Sequence, residues 1–150
     1  MGALPVPPRP DRLPVRNDGK FGFIDHEGRL VIEPKYNGIG RFNEGLCAVV
    51  VEPGGDWGLI DKNGKMVIPP RFGPAPLFSE GVASVRERDK VFFINPDGSQ
   101  ALDVTFDMAG NFHQGIARIY QDGSTGWIDR SGNVVIDTSY ENTSDTDSII

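Results

Sequence analysis

At 150 residues the chain has the length of one domain, and its 19 Gly and 12 Pro suit short strands and turns better than helices. A net charge of −6 argues against a nucleic-acid binder, which would present a basic face, and favours a basic protein partner. The lone Cys47 rules out an internal disulfide framework, and no apolar run approaches the ~20 residues of a membrane span, so a monomeric cytoplasmic protein that binds no membrane is expected.

Residues 1–11 are proline-rich, lack the apolar core of a signal peptide, and are expected to form an extended arm. From residue 12 the chain repeats itself. Ile24, Ile60, Ile94 and Ile128 stand 36, 34 and 34 residues apart, and the units cover about 21–51, 57–86, 91–120 and 125–140. Such a period is the signature of a repeat architecture.

Each unit opens with two short strands around a turn. Asp25, Asp61, Asn95 and Asp129 stand three residues before Gly28, Gly64, Gly98 and Gly132. A type I turn favours Asp or Asn first and Pro second, and Gly accepts the left-handed conformation that closes a bulged hairpin. Pro96 occupies that second place in the third unit. Next come Tyr36, Phe72, Phe106 and Tyr140, then a variable stretch, then Phe42, Phe78 and Phe112 ahead of a third strand. The alternation predicts a first strand apolar on both faces. It gives the third strand one buried face (Cys47/Val49, Ala83/Val85, Ala117/Ile119) and one partly wet face (Ser84/Arg86, Arg118/Tyr120).

The expected fold is all-β, with four three-stranded antiparallel meanders in a small propeller- or rotor-like ring, or in an open β-solenoid. The fourth unit stops after Tyr140, and 141–150 is an acidic tail. Leu13 and Val15 match Ala83 and Val85 in the repeat register. Residues 12–16 are therefore expected to complete the fourth meander and close the ring, or at least to cap an exposed edge of the first.

Trp57-Gly58-Leu59-Ile60-Asp61, the Asn63-Gly64-Lys65 turn, Val67 to Phe72 and Phe78 to Val85 closely resemble the WG (KWG) repeat family of bacterial proteins, and the likeness covers about residues 12–140. Phe21 replaces the Trp in the first unit, Val91-Phe92 takes the Trp-Gly place in the third, and the fourth has Thr125-Gly126 there with its Trp at 127. The resemblance implies β-meander units arrayed as a rotor, propeller or solenoid, acting as interaction modules.

No catalytic constellation emerges. Asp25, Asp61 and Asp129 recur once per unit and read as turn caps; Glu44 and Glu80 align with Gln114, which cannot ionise. His26 and His113 occupy unrelated places without a zinc-type ligand set. Cys47 aligns with Ala83 and Ala117 and reads as core. No cofactor and no metal are expected. Repeat scaffolds place binding on parts that vary while the frame stays fixed. The candidates are therefore Asn37, Arg41, Pro74, Leu77, Asp107 and Asn111 on one rim, with Arg86, Arg88 and Tyr120 at the hairpins that link units. Trp57 is either core or an aromatic platform for a carbohydrate or another small ligand. The principal expectation is a non-enzymatic module that binds another protein, in one version an acidic neutraliser of a basic partner.

Overall fold

The four Asp/Asn-to-Gly turns form as their residues dictate. Gly28, Gly64, Gly98 and Gly132 have φ of 88°, 86°, 91° and 89° and donate to the carbonyls of Asp25, Asp61, Asn95 and Asp129 at 2.9–3.0 Å. Asp61 Oδ1 also accepts from Asn63 N and Lys65 N at 2.9 Å, and Asp25 and Asp129 bond alike in their turns. In the third turn, where Asn95 replaces Asp, Asp97 Oδ1 accepts from Ser99 N instead. These carboxylates are turn caps.

The structure, a computed structural model, describes residues 11–136. Residues 1–10, holding most of the proline-rich arm, and 137–150, holding Tyr140 and the acidic tail, lie outside the described residues. Among the described residues the strands form four antiparallel sheets, none closed on itself. The first contains β1 (Leu13–Asn17), β2 (Lys20–Ile24) and β3 (Leu30–Tyr36). The second contains β4 (Gly38–Ile39), β5 (Leu46–Val50), β6 (Trp57–Asp61) and β7 (Met66–Phe72). The third pairs β8 (Ala83–Glu87) with β9 (Lys90–Ile94), and isolated bridges bring Gln100 and Phe106 to β9. The fourth contains β10 (Met108–Ala109), β11 (Ile116–Gln121), β12 (Ser124–Asp129) and β13 (Val134–Ile136).

Two expectations are corrected by this pairing. The third strand of a repeat does not finish its own meander; it begins the next sheet, as when Ala83 pairs with Ile94 and Ala117 with Ile128. By the same register Leu13 pairs with Ile24 and Asn17 with Lys20, so residues 13–17 edge the first sheet and do not complete the fourth. The physical reason is the short linker. Asp18-Gly19 and Asp122-Gly123 are two-residue loops with both φ positive, 52° and 76°, 51° and 82°. Such loops fold adjacent strands straight back on each other. The fourth sheet takes its first long strand from 116–121 and needs nothing from the N-terminus.

Alternation along each strand then builds three cores in series among the described residues. Phe23, Ile32 and Tyr36 of the first sheet pack with Cys47, Val49 and Ile60 of the second. The opposite faces of those strands, Leu46, Ala48 and Leu59, join Ile68 and Phe72 against Ala83, Val85, Phe92 and Ile94. Phe93 and Val82 turn the other way, onto Ala117, Ile119 and Ile128. The first strand of each hairpin is thus covered on both sides in the middle sheets, as expected. β5 departs from the wet-face expectation, being buried throughout, because Ala48 and Val50 stand where Ser84 and Arg86 stand in β8.

The Gly of the Trp-Gly pair is set by close backbone approach. A Cβ on Gly58 would lie 2.6 Å from the Ile68 carbonyl oxygen and 2.9 Å from the Pro70 nitrogen, and Gly22 faces Ile32 and Pro34 in the same way. No side chain fits where the partner strand crosses so near.

Candidate functional site

The variable stretches and linking turns bring part of the predicted rim together. Pro74, Leu77, Arg86 and Asn111 line a cavity of about 270 Å³, whose far wall is Met108 and Ala109. The same two residues, with Arg118, Ile119, Tyr120 and Thr125, line an adjoining and mostly apolar cavity of about 420 Å³. Met108 is 59% exposed and Tyr120 42%. Met108 and Ala109 thus line both concavities, one with the third sheet's loop and one with the fourth sheet.

Hydrogen bonds fix this surface. Asn111 Oδ1 accepts from Ser84 N at 3.3 Å, and Arg86 Nη2 donates to the Asp107 carbonyl at 3.3 Å. Asp107 Oδ2 accepts from Asp122 N at 3.0 Å, and its own N–H donates to Tyr120 O and Gln121 Oε1. Asp107 therefore holds the wall that presents Tyr120. Arg118 and Tyr120 point outward because their neighbours Ala117 and Ile119 fill the core.

Other predicted residues fall elsewhere. Asn37 is a staple, accepting from Lys20 Nζ at 3.0 Å and donating to Val51 O at 2.6 Å. Arg88 sits in the β8–β9 turn with φ 60° and lines a separate polar cavity of about 560 Å³ with Arg71, Glu87 and Lys90. Arg41 borders another, of about 620 Å³, near residues 11–14. Trp57 is half-buried and packs against the second core, with its ring beside Gly38.

The thiol and the carboxylates that the sequence singled out are buried or engaged in backbone bonding. Cys47 is 1% exposed, and burial pushes its thiol up to about 12, far above the reactive range. Glu44 and Glu80 each accept two backbone N–H bonds from the next unit's turn. The backbone N–H groups of Arg29 and Glu27 hold the Asp25 carboxyl below its usual range. Among the described residues no group of three His, Cys, Asp or Glu side chains is arranged to hold a metal ion, and no helix is long and apolar enough to cross a membrane.

Met108, Ala109, Arg118 and Thr125 were not legible as site residues. Met108 and Ala109 lie in a variable stretch without periodicity. The signal for Arg118 and Thr125 was the outward register of strands that have no fifth sheet beyond them among the described residues.

No curated protein sequence matches the chain. A solved structure, "KlHsv2 with loop 6CD replaced by a Gly-Ser linker", is similar with a TM-score of 0.52 at 13% identity, over 83% of this chain and 46% of that one. That neighbour has a β-propeller-like fold, and this chain spans less than half of its length. The likeness concerns fold alone. The model of the WG-containing repeat matches residues 21–52, 57–90 and 92–124. Those segments carry the hairpins whose Gly22 and Gly58 the crossing strands demand. They make up more than half of the sequence, and the chain belongs to the WG-containing repeat family.

Proposed function

We propose that this chain is a non-enzymatic protein-interaction module of four repeat units in an open arc, and that it binds through the outer face of its fourth sheet and the adjoining rim. The observation that carries this reading is the shared wall of Met108 and Ala109. It joins the apolar concavity beneath Tyr120 to the groove of Pro74, Leu77, Arg86 and Asn111. An exposed apolar surface edged by polar residues is the usual mark of a protein contact, and Tyr and Arg are the residues that anchor such contacts. The engagement of Asp25, Asp61, Asp129, Glu44 and Glu80 in backbone bonding, with burial of Cys47, supports a binding role over an enzymatic one. An open arc is favoured over the ring because the strand the ring required belongs to the first sheet. A basic partner rests on the net charge of −6. At the rim itself Arg86 and Arg118 would meet apolar or acidic groups.

The test is affinity capture from source cells with three baits: the natural chain, a Met108→Asp/Tyr120→Ala variant, and a Leu30→Asp control on the first sheet. A stoichiometric protein retained by the natural chain and the control, and lost from the double variant, supports the reading. Equal retention by all three, or no stoichiometric protein at all, overturns it.

A further inference from the structure

Three tight turns precede the first long strand of the second, third and fourth sheets, and they are conformational copies. Each is a two-residue loop closed by paired backbone bonds, Asn43 with Leu46, Ser79 with Val82, His113 with Ile116. The central pairs share the same positive φ values: Glu44 52° and Gly45 84°, Glu80 54° and Gly81 86°, Gln114 53° and Gly115 82°. This geometry aims both central N–H groups outward, making a concavity that suits an anion.

Two of the three turns hold a carboxylate from the preceding unit. Glu44 accepts from Glu80 N at 2.8 Å and Gly81 N at 2.9 Å. Glu80 accepts from Gln114 N at 2.5 Å and Gly115 N at 2.9 Å. For the Glu44–Gly45 turn the preceding unit would have to supply a carboxylate from residues near position 8, and residues 1–10 contain no Asp or Glu. Among the described residues no side chain accepts from these two N–H groups.

The surroundings of this turn differ from those of the other two. It opens on the 620 Å³ cavity lined by Arg12, Arg41 and Lys62, together with Asp11. Lys62 Nζ neutralises Asp11 at 2.7 Å. Arg12 donates through Nε to Lys62 O and through Nη1 to Asp11 O, which fixes its guanidinium beside the cavity. Arg41 makes no hydrogen bond or ion pair among the described residues. The carboxylate of Glu44 itself is committed to the next turn. A chain of net charge −6 thus carries a locally cationic cavity around two outward N–H groups whose counterparts both bind carboxylates.

We infer that the Glu44–Gly45 turn is a carboxylate-binding site that takes a glutamate side chain from an acidic segment of another polypeptide, with Arg41 and Arg12 flanking the bound anion. The volume suits a peptide segment and exceeds the needs of a lone carboxylate. Two N–H donors converging on one carboxylate, with guanidinium groups beside it, form the charge-assisted kind of hydrogen bond. The site lies apart from the Tyr120 surface, so it stands or falls independently of the binding reading above.

The test is amide NMR of the full chain titrated with acetyl-Ser-Glu-Gly-Ser-Glu-Gly-amide and with the same peptide carrying Gln for Glu. The Glu peptide should move the Glu44 and Gly45 amides to saturation and leave those of Gly81 and Gly115 in place. The Gln peptide, and the Glu peptide on an Arg41→Glu variant, should bind roughly tenfold more weakly or less. No response at Glu44 and Gly45, or an equal response to both peptides, overturns the inference. A third arm replaces Glu141, Asp145 and Asp147 by their amides. If that change alone moves the Gly45 amide, the chain's own tail fills the site and the assignment to a partner is wrong.

Discussion

Single residues in this chain are explained mostly by what the backbone does around them. The paired Trp and Gly of the repeat divide their work, since Gly58 lets the Ile68–Pro70 segment cross at contact distance while Trp57 packs on the core. This is why the aromatic position tolerates Phe21, Val91 and Thr125 in other units. Cys47 was legible as core from its alignment with Ala83 and Ala117, and the structure buries it at 1% exposure. Its chemistry gives a signed prediction. The thiol, ordinarily at 9.0, is pushed up to about 12 by burial. As pH rises between these values the unfolded chain loses the proton that the folded chain keeps, so the folded state binds more protons and stability falls. The slope approaches about 1.4 kcal/mol per pH unit. Urea midpoints of the natural chain and of Cys47→Ala, compared near neutrality and at about pH 10.5, should show the natural chain losing ground relative to the variant. The raised Tyr36 hydroxyl, desolvated mainly by burial, acts in the same direction in both proteins and largely cancels. A constant gap between them would mean that the thiol ionises freely in the folded protein.

At the level of elements, the hairpins were legible because their turn chemistry is local: Asp or Asn at the first position, Gly at the fourth, Pro96 between them. The place of the third strand, in the next sheet and not in its own unit's meander, is not legible from alternation, which states which face is buried and says nothing of which neighbour lies alongside. The missing signal was in the sequence. Asp18-Gly19 and Asp122-Gly123 are strong two-residue hairpin loops, and they place Leu13–Asn17 beside Lys20–Ile24 and Ile116–Gln121 beside Ser124–Asp129. Glu44, Glu80 and Gln114 were legible as turn residues from their misaligned charge, but no pattern within one unit showed that each Glu reaches the turn of the next. That contact is long-range, 36 and 34 residues along the chain. It ties successive sheets at the rim, beside the bond from Ser79 Oγ to Phe112 O at 2.7 Å and the Arg130 guanidinium held over the Phe112 ring. Glu80→Gln removes the charge from two such bonds and should cost about 1–2 kcal/mol in urea denaturation. Gln114→Ala, which removes no carboxylate from any described turn, should stay within about 0.5 kcal/mol. Equal midpoints for both variants would show that solvent serves these turns as well as the carboxylate does.

At the scale of the molecule, the three cores in series between the four sheets of the described residues mean that stability is shared between neighbours and not across the array. No buried cluster among the described residues combines the first sheet with the fourth. Stability in such an array is close to a sum of unit and nearest-neighbour terms, and damage at one end should stay there. Deleting residues 1–17 removes β1 and exposes the edge of β2, along with the half-buried Ile24 that faces Leu13 across the pair. An open arc predicts that backbone hydrogen exchange then quickens across residues 20–36 and that the packing of Phe23 and Ile32 on Cys47 and Ile60 weakens. Protection at Ile119 and Ile128, two cores away, should stay at the natural level, because local openings follow the contacts that each unit makes. A closed ring predicts the opposite: the first and fourth sheets would share an interface, and loss of β1 would raise exchange in 116–129 as much as in 20–36. Residue-resolved exchange of the natural and truncated chains measures both segments in one experiment. Matched losses at the two ends would restore the ring; a loss confined to the first sheet and its neighbour leaves the open arc, with the Tyr120 face uncovered at its far end.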